Sequence, residues 1–571
     1  MDQYANRLGR LLELLKRDKV DIFMLPNTDE FGSEYVKNSR VEWLTGFTGS
    51  AATVAVSRKH SAFFTDGRYT LQAEKQVNKK LYDILQINDL ANWLRKNTKN
   101  QQVAFDASLY TKAQIDRYGE LIKNIRLLDT NPIDELWKTR TAKSSVYSYD
   151  IEFAGENSES KRKRIAKCFA SDALLITSPD SICWLLNIRG GDLDHTPLVF
   201  CYAILYQDGT VDLFLHEGSE LNNDITNIRC HNFAAIDEVF RQIKEKGQSI
   251  TLDPSSNSIK IHDKLANIGI KIIYEDDPCE AKKAIKNNIE IANAKKINIY
   301  DGVAFIKFWY WLERQLACAG QLSEIDVAEK LLEFRQMQPL FRGPSFSTIA
   351  AFAENGAIIH YSPTEASNKK IEGNGLLLID SGGQYLGGTT DMTRTILVGT
   401  PTQQQKIHYT LVLKGHIALA MAKFPKGTSG AQLDILARYF LWQNYLNYSH
   451  GTGHGVSNYL SVHEKPPTIS PRGTKIPLEA GMILSNEPGF YLSGQYGIRI
   501  ESLLCVKKAN KGFLSFQTLA CAPIDMRLME NSLLSQHEKN WLKNYHGFVY
   551  KSASPYISQA EQRWLSQFIP L

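Results

Sequence analysis

The chain has 571 residues, and its 43% hydrophobic and 22% charged residues match ordinary globular proteins, so wholesale disorder is excluded. The net charge of +5 gives no reason to expect a nucleic acid partner. No segment has the ~20 mostly apolar residues of a membrane helix, and charges near the N-terminus interrupt any signal-peptide core. The eight cysteines form no C-x-x-C pair. We therefore expect reduced thiols and a cytoplasmic protein without membrane association.

The N-terminal half contains two stretches with the same order of predicted elements: a helix, a strand, a tryptophan-containing segment and two more strands. Trp43 and Trp184 are 141 residues apart, which is the size of a domain and exceeds the roughly 20–50 residues of solenoid repeats. We interpret this pattern as a duplicated α/β domain, with two unrelated α/β domains as the alternative. The elements are predicted at residues 8–15, 20–26, 53–56 and 61–65, and at 165–169, 173–177, 198–206 and 210–215.

A polar stretch at residues 139–163 separates the two copies, and four consecutive basic residues, KRKR at 161–164, lie at its end. This run is similar to a nuclear localisation signal, but it also fits a helix at the start of a domain. We expect the helix, with its basic side chains exposed to solvent.

The C-terminal half begins with a long helical pattern and continues with short strands broken by glycines. Two helical blocks interrupt these strands, at residues 407–424 and 431–445, and the final segment is partly strand-like and partly helical. We predict four regions, at residues 1–140, 141–287, 288–511 and 512–571.

Two aspartates, Asp380 and Asp391, lie at the ends of consecutive apolar strands, with four glycines between them. A hairpin would bring their carboxylates together, where they would repel each other unless a proton or a cation lies between them. Two separate exposed aspartates beside a turn are the alternative.

A glycine-rich segment, HGTGHG, carries His450 and His454, and its glycines disfavour a helix while letting the backbone approach a ligand. Further along, Glu487 ends an apolar strand at a Pro-Gly turn. Arg499 and Glu501 alternate with isoleucines, which predicts that both lie on one face of a strand. Each feature alone has a structural interpretation, but their clustering indicates a site.

Four carboxylates on neighbouring strands would repel one another strongly without cations. Oxygen ligands with one imidazole suit two divalent ions, Mn²⁺, Co²⁺ or Zn²⁺. Such a pair lies ~3.5–4 Å apart and lowers the pKa of a shared water from ~15.7 towards ~7, which makes a hydroxide nucleophile for hydrolysis. The predicted metal ligands are Asp380, Asp391, His454, Glu487 and Glu501.

The order of these ligands resembles that of the pita-bread metallopeptidases, which include methionine aminopeptidase, prolidase and aminopeptidase P. Strings across nearly the whole chain are similar to the three-domain, eukaryotic-type Xaa-Pro aminopeptidases. They are GFTGS at 46–50, TDGRY at 65–69, NGAIIHYSP at 355–363, TTDMTRT at 389–395, HGTGHGV at 450–456, VHE at 462–464, GIRIE at 497–501 and NWLKNYH at 540–546.

This resemblance implies two related N-terminal α/β domains, then a C-terminal pita-bread catalytic domain with a packed C-terminal extension. It implies a metal-dependent aminopeptidase that releases the residue preceding proline, in a homodimer that uses manganese. Asp380 and Asp391 would bind one metal, and Asp391 and Glu501 would bridge to the second, which His454 and Glu487 complete.

The resemblance also implies that three histidines, His360, His450 and His463, surround the scissile carbonyl and stabilise the oxyanion. Of these, His360 and His463 would also bind substrate, together with Arg68 from the first domain. The residue pattern adds Arg499 as an orienter of Glu501 or of substrate. The chain departs from the family's glycines at Ser457 and Lys465, neither of which is a ligand.

Three alternative functions share the fold. A prolidase-like enzyme would accept only dipeptides. A catalytically inactive module would bind peptides but would have lost metal ligands, whereas all five are present here. A creatinase-like amidinohydrolase would need no metal pair.

Overall fold

The computed structural model describes residues 3–138, 145–219, 221, 226–318 and 321–568. It divides into two compact units, one formed by residues up to 150 with residues 156–279, and the other by residues 151–155 with residues from 280 onward. The predicted boundary after residue 140 lies outside the described residues, and the other predicted boundaries stay predictions. Among the described helices, none has both the length and the apolar character needed to cross a bilayer.

The first copy of the α/β pattern is built on a six-stranded sheet. Its strands are β1 (Ile22–Pro26), β2 (Ala52–Ser57), β3 (Ser61–Thr65), β4 (Tyr82–Gln86), β5 (Val103–Asp106) and β6 (Ile125–Leu128). Their order is β4-β3-β2-β1-β5-β6. The pairs β1–β2 and β2–β3 are antiparallel, and the remaining pairs are parallel.

The second copy repeats this sheet strand for strand. The strands of this region are β7 (Tyr147–Ser148), β8 (Ala173–Ile176), β9 (Ile188–Arg189), β10 (Tyr202–Tyr206), β11 (Val211–Leu215), β12 (Ile228–Asn232), β13 (Ser249–Leu252) and β14 (Lys271–Tyr274). The sheet order is β12-β11-β10-β8-β13-β14, with β8–β10 and β10–β11 antiparallel and the other pairs parallel. The identical order and strand directions agree with the predicted duplication.

The helices that contain the two tryptophans end in the same way. Gly46 follows the first helix with a φ of 80°, and Asn187 follows the second with a φ of 53°, so each ends at a left-handed residue. The helices of this half are α1 (Gln3–Arg17), α2 (Arg40–Thr45), α3 (Thr70–Gln76), α4 (Leu90–Asn97), α5 (Lys112–Gly119), α6 (Pro132–Leu136), α7 (Ile151–Ala154), α8 (Ser158–Ala166), α9 (Pro179–Leu186), α10 (Ile236–Glu245), α11 (Ile259–Ile268) and α12 (Pro278–Ala284).

The basic run lies on α8, as predicted, but the expectation that all of it faces solvent is wrong. Lys161 and Arg162 are 2% and 1% exposed. The Lys161 ammonium donates to the Trp184 carbonyl and to Asn187 Oδ1, and the Arg162 guanidinium donates to the carbonyls of Gly209 and Thr226. Their long side chains satisfy buried carbonyl groups, which sequence composition does not reveal.

The second unit begins its main body with the predicted long helix. Asn287 and Glu290 form a capping box that starts this helix, which explains its sharp beginning. The helices of this unit, besides α7, are α13 (Asn288–Ala317), α14 (Glu324–Gln336), α15 (Gln403–Ala420), α16 (Gly430–Trp442), α17 (Gln536–Ala553) and α18 (Gln559–Phe568).

The strands of the second unit form several antiparallel sheets. The strands are β15 (Phe341–Pro344), β16 (Ile349–Phe352), β17 (Gly375–Ser381), β18 (Gly383–Tyr385), β19 (Gly388–Thr389), β20 (Met392–Val398), β21 (Lys423–Pro425), β22 (Gly453–Gly455), β23 (Glu464–Ile469), β24 (Ile483–Asn486), β25 (Gly489–Leu492), β26 (Tyr496–Arg499), β27 (Ser502–Lys508) and β28 (Phe513–Thr518). The sheet orders are β15-β18-β19, β16-β17-β20, β21-β28-β27-β24-β22-β23 and β25-β26.

A large apolar core joins the last helices to these sheets. Leu542, Tyr545 and Val549 of α17 share one buried cluster with Tyr409 of α15 and Ile498 of β26. Burial of such side chains contributes roughly 1.5–3 kcal/mol each. The C-terminal segment therefore packs directly against the layers that carry the candidate site.

Candidate metal centre

Strands β17 and β20 position the two aspartates. The two strands pair in antiparallel register, with Asp380 opposite Thr393, and Asp391 immediately precedes β20. Gly382 allows the turn at this end, because an added Cβ would lie 2.0 Å from the Thr390 carbonyl oxygen. The connection is more elaborate than the predicted hairpin, since β18 and β19 leave to join β15.

The glycine-rich segment forms a strand, β22, with His454 at its centre. Gly453 lets this strand approach β24 closely, because a Cβ there would lie 2.0 Å from the Ser485 carbonyl oxygen. The His454 Nδ1 atom lies 2.9 Å from the Gly455 carbonyl oxygen and donates to it. The other ring nitrogen, Nε2, is thereby directed toward Asp391 at 3.3 Å and Glu487 at 3.5 Å.

Glu487 follows the end of β24, and Glu501 immediately precedes the neighbouring strand β27. The Glu487 N–H donates to the Thr452 carbonyl, and the Glu501 N–H donates to the Thr393 carbonyl. Strand β26 ends at Arg499, so the prediction that Arg499 and Glu501 occupy one strand is wrong in that detail. Both are 1% exposed.

The five predicted ligands form a connected group. Asp391, His454 and Glu501 each offer one ligand atom within 4.8 Å of the others. Glu487 contacts this trio through His454. Asp380 is linked through the Arg499 guanidinium, at 2.5 Å from its Oδ2, and through the β17–β20 pairing. Residues far apart in sequence therefore meet in one buried place.

The electrostatics of this group are unfavourable in the protein alone. Burial, followed by the charges of Asp391, Glu487 and Asp380, raises the pKa of Glu501 well above its ordinary value. Burial is also the main cause that raises the pKa of Asp380 and of Glu487. Four carboxylates crowd together, and deprotonating all of them without added positive charge is costly.

His454 responds to the same field. Burial lowers its pKa, but the hydrogen bond to Asp391 and the charge of Glu487 outweigh that effect and raise the pKa to about 9. Without a metal the ring is a cation among carboxylates, and a bound metal ion would replace its proton. Within the part of the chain that the structure describes, the buried Asp380 Oδ1 has no hydrogen-bond partner. The donor set, its excess negative charge and this unpaired oxygen all fit divalent cations.

Two of the three predicted catalytic histidines lie against this group. The His463 ring packs edge-on to His454, with ring centres 4.3 Å apart. The His450 Nδ1 atom lies 3.8 Å from Glu487, and its Nε2 lies 2.9 Å from the Tyr491 hydroxyl. His360 follows a 3₁₀ turn, Ala353–Ala357, that contacts β17 and β26.

Arg499 contacts Glu501, the carboxylate that it was predicted to orient, through an intermediate side chain rather than directly. Its guanidinium donates to Asp380 and to the Tyr491 hydroxyl, and its Nε donates to Thr393 Oγ1 at 3.1 Å. Thr393 in turn donates to Glu501 at 2.7 Å. Arg499 therefore orients Asp380 directly and Glu501 through a threonine.

Arg68 lies in the first unit. It pairs with Asp66 at 2.7 Å and approaches Glu34 at 3.7 Å. Its role as a substrate contact stays a prediction.

Sequence reasoning missed two supporting residues, Thr393 and Tyr491. Thr393 lies two residues after Asp391, and this alternation on a strand was an available signal. Tyr491 follows Glu487 by four residues across a turn, and no sequence period indicated its contact with Arg499. Of the two departures from the family, Ser457 donates to Glu464 at 3.0 Å, and Lys465 is exposed.

Comparisons with known proteins cover nearly the whole chain. Residues 292–508 match the model of metallopeptidase family M24, and residues 512–568 match the C-terminal region of that peptidase family. Residues 7–138 and 138–290 each match a creatinase/prolidase N-terminal domain.

Individual relatives are similar over most of their length. A probable Xaa-Pro aminopeptidase P of Laccaria bicolor is 36% identical, covering 97% of this chain and 91% of the relative. Aminopeptidase P2 of Arabidopsis thaliana is 36% identical, covering 96% and 85%. The crystal structure of X-prolyl aminopeptidase from Caenorhabditis elegans, described as a cytosolic enzyme with a di-nuclear active site, has a TM-score of 0.93 at 31% identity and 99% coverage of both chains.

Proposed function

Because the chain belongs to the Xaa-Pro aminopeptidases of metallopeptidase family M24, we propose that it hydrolyses the peptide bond between an N-terminal residue and a following proline. The predicted fold class, two related α/β domains followed by a pita-bread catalytic domain, is confirmed. The observation that carries the proposal is the convergence of Asp391, His454 and Glu501, with two more carboxylates beside them.

Two divalent metal ions fit this group, and we assign their ligands as predicted. Asp380 and Asp391 would hold one ion, Asp391 and Glu501 would bridge, and His454 and Glu487 would complete the second. Bound metals would supply a water nucleophile that is active at neutral pH and would polarise the scissile carbonyl. We propose manganese on the family resemblance, with cobalt and zinc also compatible with the ligands.

The surrounding side chains position the substrate. His450 and His463 lie beside the ligands, and we propose that they face the carbonyl oxygen on which negative charge develops. His360 is proposed for the same task and, with His463, for binding substrate. Arg499 holds Asp380 and Tyr491 in place, which fixes one wall of the site.

The substrate class follows from the chemistry of proline. A peptide bond to proline has no N–H, and the ring restricts the preceding residue, so an enzyme that grips this N–H cannot use such peptides. The relatives are named Xaa-Pro aminopeptidases, which favours peptides with proline second over the prolidase-like, creatinase-like and inactive alternatives.

Substitution of a ligand tests the proposal directly. Asp391→Ala and His454→Ala are expected to abolish release of the first residue from an Xaa-Pro-Pro peptide assayed with added Mn²⁺. Glu333→Ala, which removes an exposed carboxylate on α14, serves as the control and should retain activity. Elemental analysis of the purified proteins should show metal lost from the first two variants only. Full activity or full metal content in either ligand variant would overturn the assignment.

We propose that the protein is a cytoplasmic homodimer. Ile435, Tyr439 and Trp442 lie on one face of α16 and are 49%, 49% and 46% exposed, which leaves an apolar stripe for a second copy. Sedimentation of an Ile435→Asp, Trp442→Asp variant should give a monomer where the wild type gives a dimer. Equal sedimentation of both proteins would rule out this stripe as the dimer interface, and cell fractionation checks the location.

The role of Arg68 and the positions of the domain boundaries can each be tested. Arg68→Ala should raise the KM for longer peptides if Arg68 binds substrate, and an unchanged KM would contradict that role.

Limited proteolysis should cut near residues 140, 287 or 511 if the proposed boundaries are correct.

A further inference from the structure

A buried histidine that the proposed mechanism does not use contacts the backbone next to both glutamates. His416 is on α15 and is 0% exposed. Its Nδ1 atom lies 3.1 Å from the Asn486 carbonyl oxygen and 3.1 Å from the Ile500 carbonyl oxygen. These carbonyls belong to the residues immediately before Glu487 and Glu501. The Asn486 side-chain amide returns a hydrogen bond to the His416 carbonyl at 2.9 Å.

The partners fix the protonation of this ring. Carbonyl oxygens only accept hydrogen bonds, so Nδ1 must carry the proton and donate to both. Burial, with a smaller effect from the charge of Arg394, lowers the pKa of His416 to about 3, so the ring is neutral. Its Nε2 has no hydrogen-bond partner among the described residues. The ring therefore has one donor, which the two carbonyls share.

The location of this contact matters because the regular pairing of β24 with β27 ends there, and a single weaker backbone bond, from the Ile500 N–H to the Pro488 carbonyl at 3.3 Å, continues beyond it. Strands β24 and β27 are hydrogen-bonded up to the pair of Asn486 with Ser502. The next residues outward along the two strands are Glu487 and Glu501, whose N–H groups donate instead to the Thr452 and Thr393 carbonyls. Pro488, directly after Glu487, has no N–H to extend the pairing. Pro488 therefore cannot return a bond to the Ile500 carbonyl, and the His416 Nδ1–H supplies the donor for that carbonyl.

We propose that His416 is a positioning residue of the metal centre, which holds the two peptide segments that enter Glu487 and Glu501 at a fixed separation. This inference rests on the proposed function, because it takes both glutamates as metal ligands. The two carboxylates arrive from different strand ends, and one hydrogen-bond donor shared between their backbones couples their spacing. Supporting groups of this kind typically change metal affinity or activity by ~10–100-fold when they are removed.

Two substitutions separate the donor from the bulk of the ring. His416→Leu removes the hydrogen-bond donor. His416→Asn retains one, because the asparagine NH₂ group is bonded to Cγ, as Nδ1 of the histidine ring is. We expect His416→Leu to bind Mn²⁺ ~10–100-fold more weakly by calorimetric titration of the metal-free protein, and His416→Asn to recover much of the loss. When Mn²⁺ saturates the protein, kcat should fall in His416→Leu while KM for an Xaa-Pro-Pro peptide changes little.

A matched control is another buried neutral histidine. His546 on α17 is 1% exposed, and its Nε2 accepts a hydrogen bond from the Ile524 N–H at 3.2 Å, a contact that involves no proposed ligand. His546→Leu should lower the thermal midpoint in a similar way without weakening Mn²⁺ binding. If both leucine variants weaken Mn²⁺ binding equally, the effect is general destabilisation and the inference is wrong.

A direct ligand variant separates failure of the inference from failure of the proposed function. Glu501→Ala should lose Mn²⁺ binding if the metal assignment is correct. If it does and His416→Leu binds Mn²⁺ like the wild type, only the role of His416 is refuted. If Glu501→Ala binds Mn²⁺ normally, the proposed ligand set itself is wrong.

Discussion

Two groups of buried charges in the second unit differ in how their charge is balanced. At the candidate metal centre, the four carboxylates of Asp380, Asp391, Glu487 and Glu501 outnumber the basic side chains that pair with them among the described residues, which are Arg499, His454 and His450. At the second group, both oxygens of Glu464 are paired by lysine ammonium groups. Lys283 lies 2.9 Å from one oxygen, Lys286 contacts the other, and all three side chains are at most 4% exposed.

The difference shows which charges belong to the fold and which await a ligand. The Glu464 group is complete within the polypeptide and anchors the start of β23 beside His463. The carboxylate group is completed only by cations, so its residues cost stability in the metal-free protein. A buried acid paired by protein cations indicates structure, whereas crowded acids with raised pKa values indicate a site.

The largest expected effect is at Glu501. Glu501→Gln should abolish peptide hydrolysis and binding of the two metal ions. In the absence of metal, however, this variant should be more stable than the wild type at pH 8. The pKa of Glu501 is raised in the folded protein, so the folded state binds more protons than the unfolded state, and the wild type loses stability as pH rises through that pKa.

Thermal unfolding in chelator at several pH values measures this effect. The stability gain of Glu501→Gln should shrink as the pH falls toward the ordinary pKa of glutamate, because a protonated Glu501 is also neutral. A gain that is independent of pH would contradict the electrostatic explanation. Addition of Mn²⁺ should reverse the ranking, since only the wild type can bind the pair.

The second group should respond in the opposite way. Glu464→Gln leaves Lys283 and Lys286 buried beside a neutral amide, and we expect a loss of ~3–5 kcal/mol in stability, with or without metal. Urea unfolding followed by tryptophan fluorescence measures this change. A triple variant with Lys283→Met, Lys286→Met and Glu464→Leu should recover part of the loss, and a triple variant no more stable than Glu464→Gln would contradict the pairing argument.

The smallest change in stability is expected at His546, which is buried and neutral. Burial, with the charge of Arg394, lowers the pKa of His546 to about 3, so the unfolded state gains protons first as the pH falls below ~6.5. Its contribution to stability is complete above that pH, and about 2 kcal/mol should be lost by pH 5. The difference in unfolding free energy between wild type and His546→Gln should become about 2 kcal/mol smaller from pH 8 to pH 5. A difference that does not change with pH would contradict the lowered pKa of His546.

Much of the fold could be predicted from the sequence because its signals are local. The leucine spacing of α1, the capping box of α13 and the repeated order around Trp43 and Trp184 each depend on residues close in the chain. The long helices α13, α15 and α16 lie where their patterns indicated. The exposed face predicted for α8 was wrong, because the buried carbonyls that bind Lys161 and Arg162 come from distant segments.

The candidate site divides along the same line. Residue types and their order indicated the five ligands, since four acids and a histidine at strand ends have few other uses. The direct partner of Arg499 and the position of His416 could not be predicted. Each depends on which strand ends meet and where a hydrogen-bond ladder stops.

Residue types and their spacing along the chain were enough to indicate the candidate ligands, the duplicated α/β pattern and the family to which the chain belongs. The folded structure was needed to see which buried charges have partners of opposite charge in the protein and which require bound cations. The physical reason is that side-chain chemistry is a property of single residues. Electrostatic balance and hydrogen-bond satisfaction instead depend on donors and acceptors that meet only in the folded chain.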